Sequence, residues 1–421
     1  MIKKIRFSSD SCWMILDKLL QITSSLIVGI VLSRYLGVEL FGYLNYIVGI
    51  AAIFWAFSKF GLDNVVIDEL VKANNKSAVI SSAFLLKLLF SILVTICAYF
   101  ISKTFISDET GVILIVLITA GSVFQSVEVV DFLNQSINKN VYSVFARIST
   151  LTLLIVLRLA GVYLEFDVSF FVYTYFFEKV ILCFFYLLFQ NKTTSNLYKL
   201  TFDRVVIKRL FIRSLPLTFS SLMVILYMKI DMFMLESYYG PSSVGVYSVA
   251  TRIIDIVYII PALVMTVMMP KLIMYNSNLD DNFDSTYSRL FRAANFFSIL
   301  SIVFVYFFGD YTVTLVFGDE YHESASILLV LMLSSIFGMS GIMSSRWFVI
   351  KELQNYTLAR TFVGLIVNVL LNYALIPAWG PMGAAFSTLV SQIIACYLFN
   401  LFSFKCRPLF ILQTKSFLFL K

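Results

Sequence analysis

Twelve stretches of about twenty mostly apolar residues, joined by short connectors, leave this chain few ways to fold. They fall at 12–33, 43–62, 79–102, 111–131, 142–163, 169–190, 212–236, 245–272, 290–309, 324–347, 357–376 and 383–404. Each is long enough to cross a hydrocarbon layer about 30 Å thick. Within that layer every backbone N–H and C=O must find its partner inside the protein, which favours helices over isolated strands. The expected fold class is therefore an all-α integral membrane protein of about 12 transmembrane helices. The longest connector, 191–211, is too short to hide a soluble catalytic domain. The final stretch, RPLFILQTKSFLFLK, is too short and interrupted to span and is expected at the interface.

Composition agrees, with 60% hydrophobic and 14% charged residues against about 25% charged in soluble chains. The five cysteines are dispersed, with no CxxC pair, so neither a zinc site nor a disulfide framework is indicated. A single histidine, His322, excludes a multi-histidine metal centre. No cofactor is expected. Lys3, Lys4 and Arg6 precede the first apolar stretch as in a signal peptide, but no small-residue cleavage site follows, so a retained helix is expected.

Orientation follows from the basic residues. With the N-terminus inside, 23 Lys and Arg fall on inner loops and termini, against three (Arg34, Lys103, Arg158) at outer ends. Both termini are expected in the cytoplasm. This inward bias accounts for the net charge of +7 and leaves no argument for nucleic acid as a partner. The basic 191–211 loop reads as a topology signal with attraction for anionic headgroups.

The halves resemble each other. YLGVELFGYLNYIVGI (35–50) aligns with YYGPSSVGVYSVATRI (238–253), sharing Tyr-x-Gly-x4-Gly. NVYSVFARISTL (140–151) aligns with QNYTLARTFVGL (354–365) allowing one gap. A six-helix unit repeated in one orientation predicts two lobes around a central cleft, the plan of a transporter. The lobes are expected at 1–200 and 201–404, followed by a cytoplasmic or interfacial tail at 405–421. The glycines at 37, 42, 240 and 245 are expected in outer connectors, where positive φ or tight turns are wanted.

Charges inside apolar stretches need a reason, since one near the bilayer centre costs about 2.5–3.5 kcal/mol on insertion scales. The candidates are Lys18, Lys87, Lys229 and Arg252 among cations and Asp17, Glu128, Asp231 and Asp255 among acids. Lys59, Lys179, Asp131 and Glu178 lie near helix ends, from which they can snorkel to the interface. Arg252 and Asp255, at i,i+3, share a face and can pair. Lys229 and Asp231, at i,i+2, cannot face one neighbour. That mismatch favours a wet, charged interior over sealed clamps.

Four segments resemble the polysaccharide transporters of the multidrug/oligosaccharidyl-lipid/polysaccharide exporter superfamily, particularly its O-antigen flippase (Wzx-type) branch. They are SRYLGVELFGYLNY (33–46), FSKFGLDNVVIDEL (57–70), KIDMFMLESYYGPSSVGVYSVATRIID (229–255) and NYALIPAWGPMGAAFSTLVSQ (372–392). The resemblance implies a V-shaped, MATE-like pair of lobes. It also implies a bacterial inner-membrane flippase, not an enzyme, for an undecaprenyl-pyrophosphate-linked oligosaccharide in lipopolysaccharide biosynthesis. Implied partners are that lipid-linked oligosaccharide, a coupling cation (H+ or Na+), membrane lipids, an O-antigen polymerase and a chain-length regulator.

On this reading the cations Arg252, Lys229, Lys87 and Lys18 meet the pyrophosphate, and Asp231, Asp255, Asp17 and Glu128 are the ion-coupling candidates. Arg offers a planar fork and Lys a mobile point charge. The alternative is a cation-coupled small-molecule or drug exporter of the same superfamily, against which the cationic surplus argues. A polymerase or ligase would need a large outer loop bearing catalytic Arg or His, and the outer loops here are short and almost free of both.

Overall fold

Every apolar stretch forms helix in the computed structural model, which describes residues 9–73, 75–106, 108–189, 201–277 and 282–418. Lys3, Lys4, Arg6, Lys192, Lys199 and Lys421, and the 191–200 part of the basic 191–211 loop, lie outside the described residues. From Arg204 onward that segment is already helical.

In chain order the helices are α1 (Ser9–Lys59), α2 (Leu62–Lys72), α3 (Lys76–Phe105), α4 (Glu109–Ala120), α5 (Ser122–Gln125), α6 (Val129–Ser136), α7 (Asn140–Tyr163) and α8 (Val168–Leu188). They continue as α9 (Arg204–Tyr239), α10 (Pro241–Ser277), α11 (Asn282–Phe317), α12 (Glu323–Ile350), α13 (Gln354–Ile393), α14 (Phe399–Phe402) and α15 (Arg407–Phe417).

Among the described residues, ten continuous helical stretches are long and apolar enough to cross a membrane. Two of them are too long for one crossing. At 1.5 Å per residue the 51 residues of α1 extend about 75 Å, more than twice the bilayer core. Gly37 breaks α1 with φ 70° and ψ 178°, and Gly380 breaks α13 with φ 53° and ψ −134°. Both breaks lie in connectors expected from the hydropathy pattern, and dividing the two helices there gives twelve crossings. The chain is a multi-pass membrane protein.

Two compact units emerge, residues 1–35 with 46–225 and residues 36–45 with 226–421. In the first, Phe60, Leu62, Val66, Leu70, Val79, Leu86, Phe132 and Leu210 form an apolar core, with Phe60 stacked on Phe90 at 3.8 Å. At the edge of this core Arg213 bridges Asp68 and Glu69, tying α9 to α2. In the second, Met265, Tyr287, Phe291, Met343, Trp347 and Leu409 are packed together.

The glycine expectation holds in part. Gly37 and Gly240 take positive φ, but Gly42 and Gly245 are needed for closeness. A Cβ on Gly42 would strike the carbonyl of Pro241, and one on Gly245 would strike that of Val38. Val38 and Pro241 are equivalent in the repeat, so the contact is reciprocal, as at an isologous interface.

The tail docks through α15. Gln413 is buried, donates to Ser340, Ser344 and the Cys396 carbonyl, and accepts from Asn400. A buried amide with both ends satisfied pins the helix in one register.

Candidate functional site

In the first unit the charges on facing helices neutralise one another. Lys87 of α3 is 2% exposed, and its ammonium lies 2.8 Å from Glu128 and 4.7 Å from the Phe132 ring. Gln125 donates a second bond to Glu128 at 3.3 Å. Lys59 and Lys179 also act electrostatically on Glu128, and Asp63 feels Glu128, Lys87 and Lys59. Lys179 pairs with Glu178 at 3.0 Å and stands over Trp55 at 5.0 Å. Arg158 donates to Thr174 at 2.9 Å and sits over the Tyr175 ring.

A second group ties four helices. Arg147 of α7 contacts Asp17 of α1 at 2.8 Å, Asp131 of α6 at 3.0 Å and the Tyr186 hydroxyl of α8 at 3.3 Å. Asp17 and Asp131 are 4% and 3% exposed. Gln21 and Gln135 each donate one further bond at 2.9 Å, from one turn along the same helix. Lys18, the neighbour of Asp17, is exposed and takes no part in this group. Among the first unit's candidates, Lys87 and Glu128 are thus brought together, while Asp17 joins a clamp and Lys18 stands apart.

The structure corrects the snorkelling expectation for Asp131 and Lys179. Asp131 is buried in the first turn of α6 and held by Arg147, whereas Lys179 and, with it, Glu178 lie near the middle of α8 and pair with each other. It also moves Arg147, counted with the inner loops, into a buried cluster.

In the second unit Lys229 and Asp231 face different neighbours, as their spacing requires. Lys229 of α9 is half-buried and interacts electrostatically with Asp255 and Arg252 of α10. Arg252 donates to Asn45 at 3.4 Å and stands over the Phe41 ring at 5.4 Å. Phe41 and Asn45 come from the 36–45 segment, far away in sequence. Asp255 is exposed, and among the described residues no cation lies within ion-pair distance of its carboxylate. The i,i+3 pair therefore does not close into a clamp. Among the described residues, Lys229, Arg252 and Asp255 thus form a group of two cations and one carboxylate that act on one another electrostatically.

Asp231 has the opposite character. It is 4% exposed and accepts only from neutral donors: the Tyr247 hydroxyl, Asn372 at 2.6 Å and Thr388 at 2.7 Å. Asn372 also bonds Asn368 at 3.1 Å, one turn away on α13. Among the described residues no ion pair reaches Asp231. A buried carboxylate with oxygen and amide neighbours but no cation can take up a proton or a small hard cation. Asn368, Asn372 and Thr388 escaped the sequence reading because polar uncharged residues are common in membrane helices. Their shared face on α13 (368, 372, with 388 beyond the Gly380 break) was the available signal.

Comparison with known proteins places this geometry in context. A family model described as polysaccharide biosynthesis protein matches residues 31–326. The capsular polysaccharide biosynthesis protein CapF of Staphylococcus aureus is 26% identical over 189 residues, 45% of this chain and 48% of CapF. The probable low-salt glycan biosynthesis flippase Agl15 of Haloferax volcanii is 23% identical over 202 residues, 48% of this chain and 42% of Agl15. The matched stretches thus span about half or less of these relatives. Among solved structures, the lipid II flippase MurJ in an inward closed conformation superposes with a TM-score of 0.76 at 17% identity, covering 96% of this chain and 91% of MurJ. An inward-facing multidrug resistance MATE family transporter of the MOP superfamily superposes with a TM-score of 0.73 at 18% identity, covering 98% and 97%. At such identities the structural likenesses establish the fold alone.

Proposed function

Because the chain belongs to the polysaccharide biosynthesis protein family, we propose that it is a flippase rather than an enzyme. Its cargo on this reading is an undecaprenyl-pyrophosphate-linked oligosaccharide, moved by alternating access from the inner to the outer leaflet of the bacterial inner membrane. The two six-helix halves, 1–200 and 201–404, act as the moving lobes, the tail at 405–421 stays on the inner side, and both termini are cytoplasmic.

The observation that carries this reading is the grouping of Lys229 and Arg252 with Asp255. Two positive charges with one exposed carboxylate, Asp255, suit a diphosphate that must leave the interface for a medium of lower dielectric. Arg252 supplies a fork for two phosphate oxygens, and Lys229 a charge that can follow the headgroup. Asp231 is the coupling residue: a proton or Na+ neutralises its buried carboxylate, and Tyr247, Asn372 and Thr388 reorient with its charge state. Lys87 and Glu128 form the corresponding charged pair of the first half. The alternative, a cation-coupled drug exporter, draws on the fold shared with the MATE transporter but not on the grouping of Lys229 and Arg252 with Asp255.

The test is a strain lacking this gene. Lipid-linked repeat units are expected to accumulate while surface polymer disappears. Absence of the lipid-linked unit would place the protein in synthesis instead and overturn the proposal.

A further inference from the structure

The repeat pairs two arginines that the tertiary structure treats differently. Arg147 in NVYSVFARISTL and Arg360 in QNYTLARTFVGL follow alanine at matching places near the start of α7 and α13. Arg147 is neutralised by Asp17 and Asp131. Arg360 is 6% exposed, more deeply buried than Arg147, yet no carboxylate among the described residues pairs with it. The groups acting on it electrostatically are Cys396, Tyr227 and Cys406, none of them a carboxylate.

Its hydrogen bonding is half complete. Nη2 donates to the Gly341 carbonyl at 2.7 Å and to Ser345 Oγ at 2.6 Å, both on α12, and the guanidinium stands 5.4 Å over the Phe348 ring. Nη1 is buried with no partner. Three residues earlier, on the same face of α13, the Thr357 hydroxyl is also buried and unbonded. A permanently charged guanidinium held on one edge and unsatisfied on the other is costly unless an anion completes it.

We propose that Arg360, with Thr357, forms a phosphate-binding site at the end of α13 that the charge bias places in the cytoplasm, distinct from the Lys229–Arg252 group. The Nη2 edge is fixed by α12, and Phe348 sets the plane of the fork, so Nη1 and the Thr357 hydroxyl are left for phosphate oxygens. In the first half the same helix position is filled internally by carboxylates. In the second, an external anion takes their place. The phosphate can come from a diphosphate-bearing cargo or from a bilayer phospholipid. The site does not depend on the flippase reading, because its test measures binding and not transport.

The test uses the purified full-length protein with two probes: inorganic pyrophosphate in neutral detergent, and nanodiscs of phosphatidylcholine with or without phosphatidylglycerol. Near-saturating pyrophosphate is expected to raise the unfolding midpoint of the wild type by at least ~2 °C. Arg360→Met should lose the shift, and Arg289→Gln, a surface control, should keep it. An Arg360-dependent shift with phosphatidylglycerol alone supports the same site with a bilayer headgroup as its occupant. If Arg360→Met does not accumulate, titration of Arg360→Lys decides, with pyrophosphate affinity expected to fall at least ~3-fold because the fork is lost. No response of the wild type to either probe, or equal responses from wild type and the Arg360 variants, overturns the site and leaves a structural staple between α12 and α13.

Discussion

Replacing Arg147 by Met would leave Asp17 and Asp131 with no shared cation. Both are almost fully buried, and the guanidinium lies 2.8 and 3.0 Å from their oxygens. At an effective dielectric near 20, each contact represents about 5–6 kcal/mol of Coulomb attraction before desolvation is subtracted. Measured costs of breaking a buried pair run to about 3–5 kcal/mol. Arg147 is partly exposed, its side chain 21% accessible, which lowers the figure. Two acids depend on it, which raises it. We expect a loss of about 4 kcal/mol for Arg147→Met. The triple variant Arg147→Met/Asp17→Asn/Asp131→Asn, which removes every charge of the cluster, should return to within about 1 kcal/mol of wild type. Arg360→Met, at the equivalent repeat position, strands no acid and is expected to cost no more than about 1 kcal/mol without ligand. The assay is reversible unfolding in mixed micelles, with membrane level as a check. A triple variant as unstable as Arg147→Met, or an Arg360→Met variant equally damaged, would refute the electrostatic account.

Asp231→Asn should keep the helices assembled, since the Tyr247 and Thr388 hydroxyls can rotate to accept from the new amide, but should cut surface polysaccharide at least ~10-fold; normal display would remove Asp231 from coupling. For the group of Lys229, Arg252 and Asp255, Arg252→Gln/Asp255→Asn should reach the membrane at wild-type level without supporting display, and Arg252→Lys should recover only part of it; near-normal polysaccharide from the double variant would leave a structural role alone. Gly42→Val places side-chain carbon against the Pro241 carbonyl and Gly245 nitrogen, so a loss of about 1–3 kcal/mol or more is expected in the same unfolding assay, and an unchanged midpoint would contradict the close packing.

Crossing number, the helical class, the glycine break at 37 and the connector that holds the Gly380 break follow from the sequence because they are local requirements. About twenty apolar residues are needed to cross the bilayer, and a chain that must reverse within a few residues needs positive φ. The i,i+2 separation of Lys229 from Asp231 was equally legible, being a property of one helix. What each charge meets was not, because that depends on lateral packing and register between helices distant in sequence. Asp131 looked like an interfacial acid until α7 laid Arg147 across it. Arg252 and Asp255 share a helix face and could pair, but in the structure Asn45 and Phe41 contact the arginine and the carboxylate is exposed. Arg147 and Arg360 occupy one place in a repeated pattern, and only the tertiary structure gives one two carboxylates and the other, among the described residues, none. Helix-forming patterns are written along the chain, whereas charge compensation is settled between helices, where a shift of one turn exchanges one set of neighbours for another.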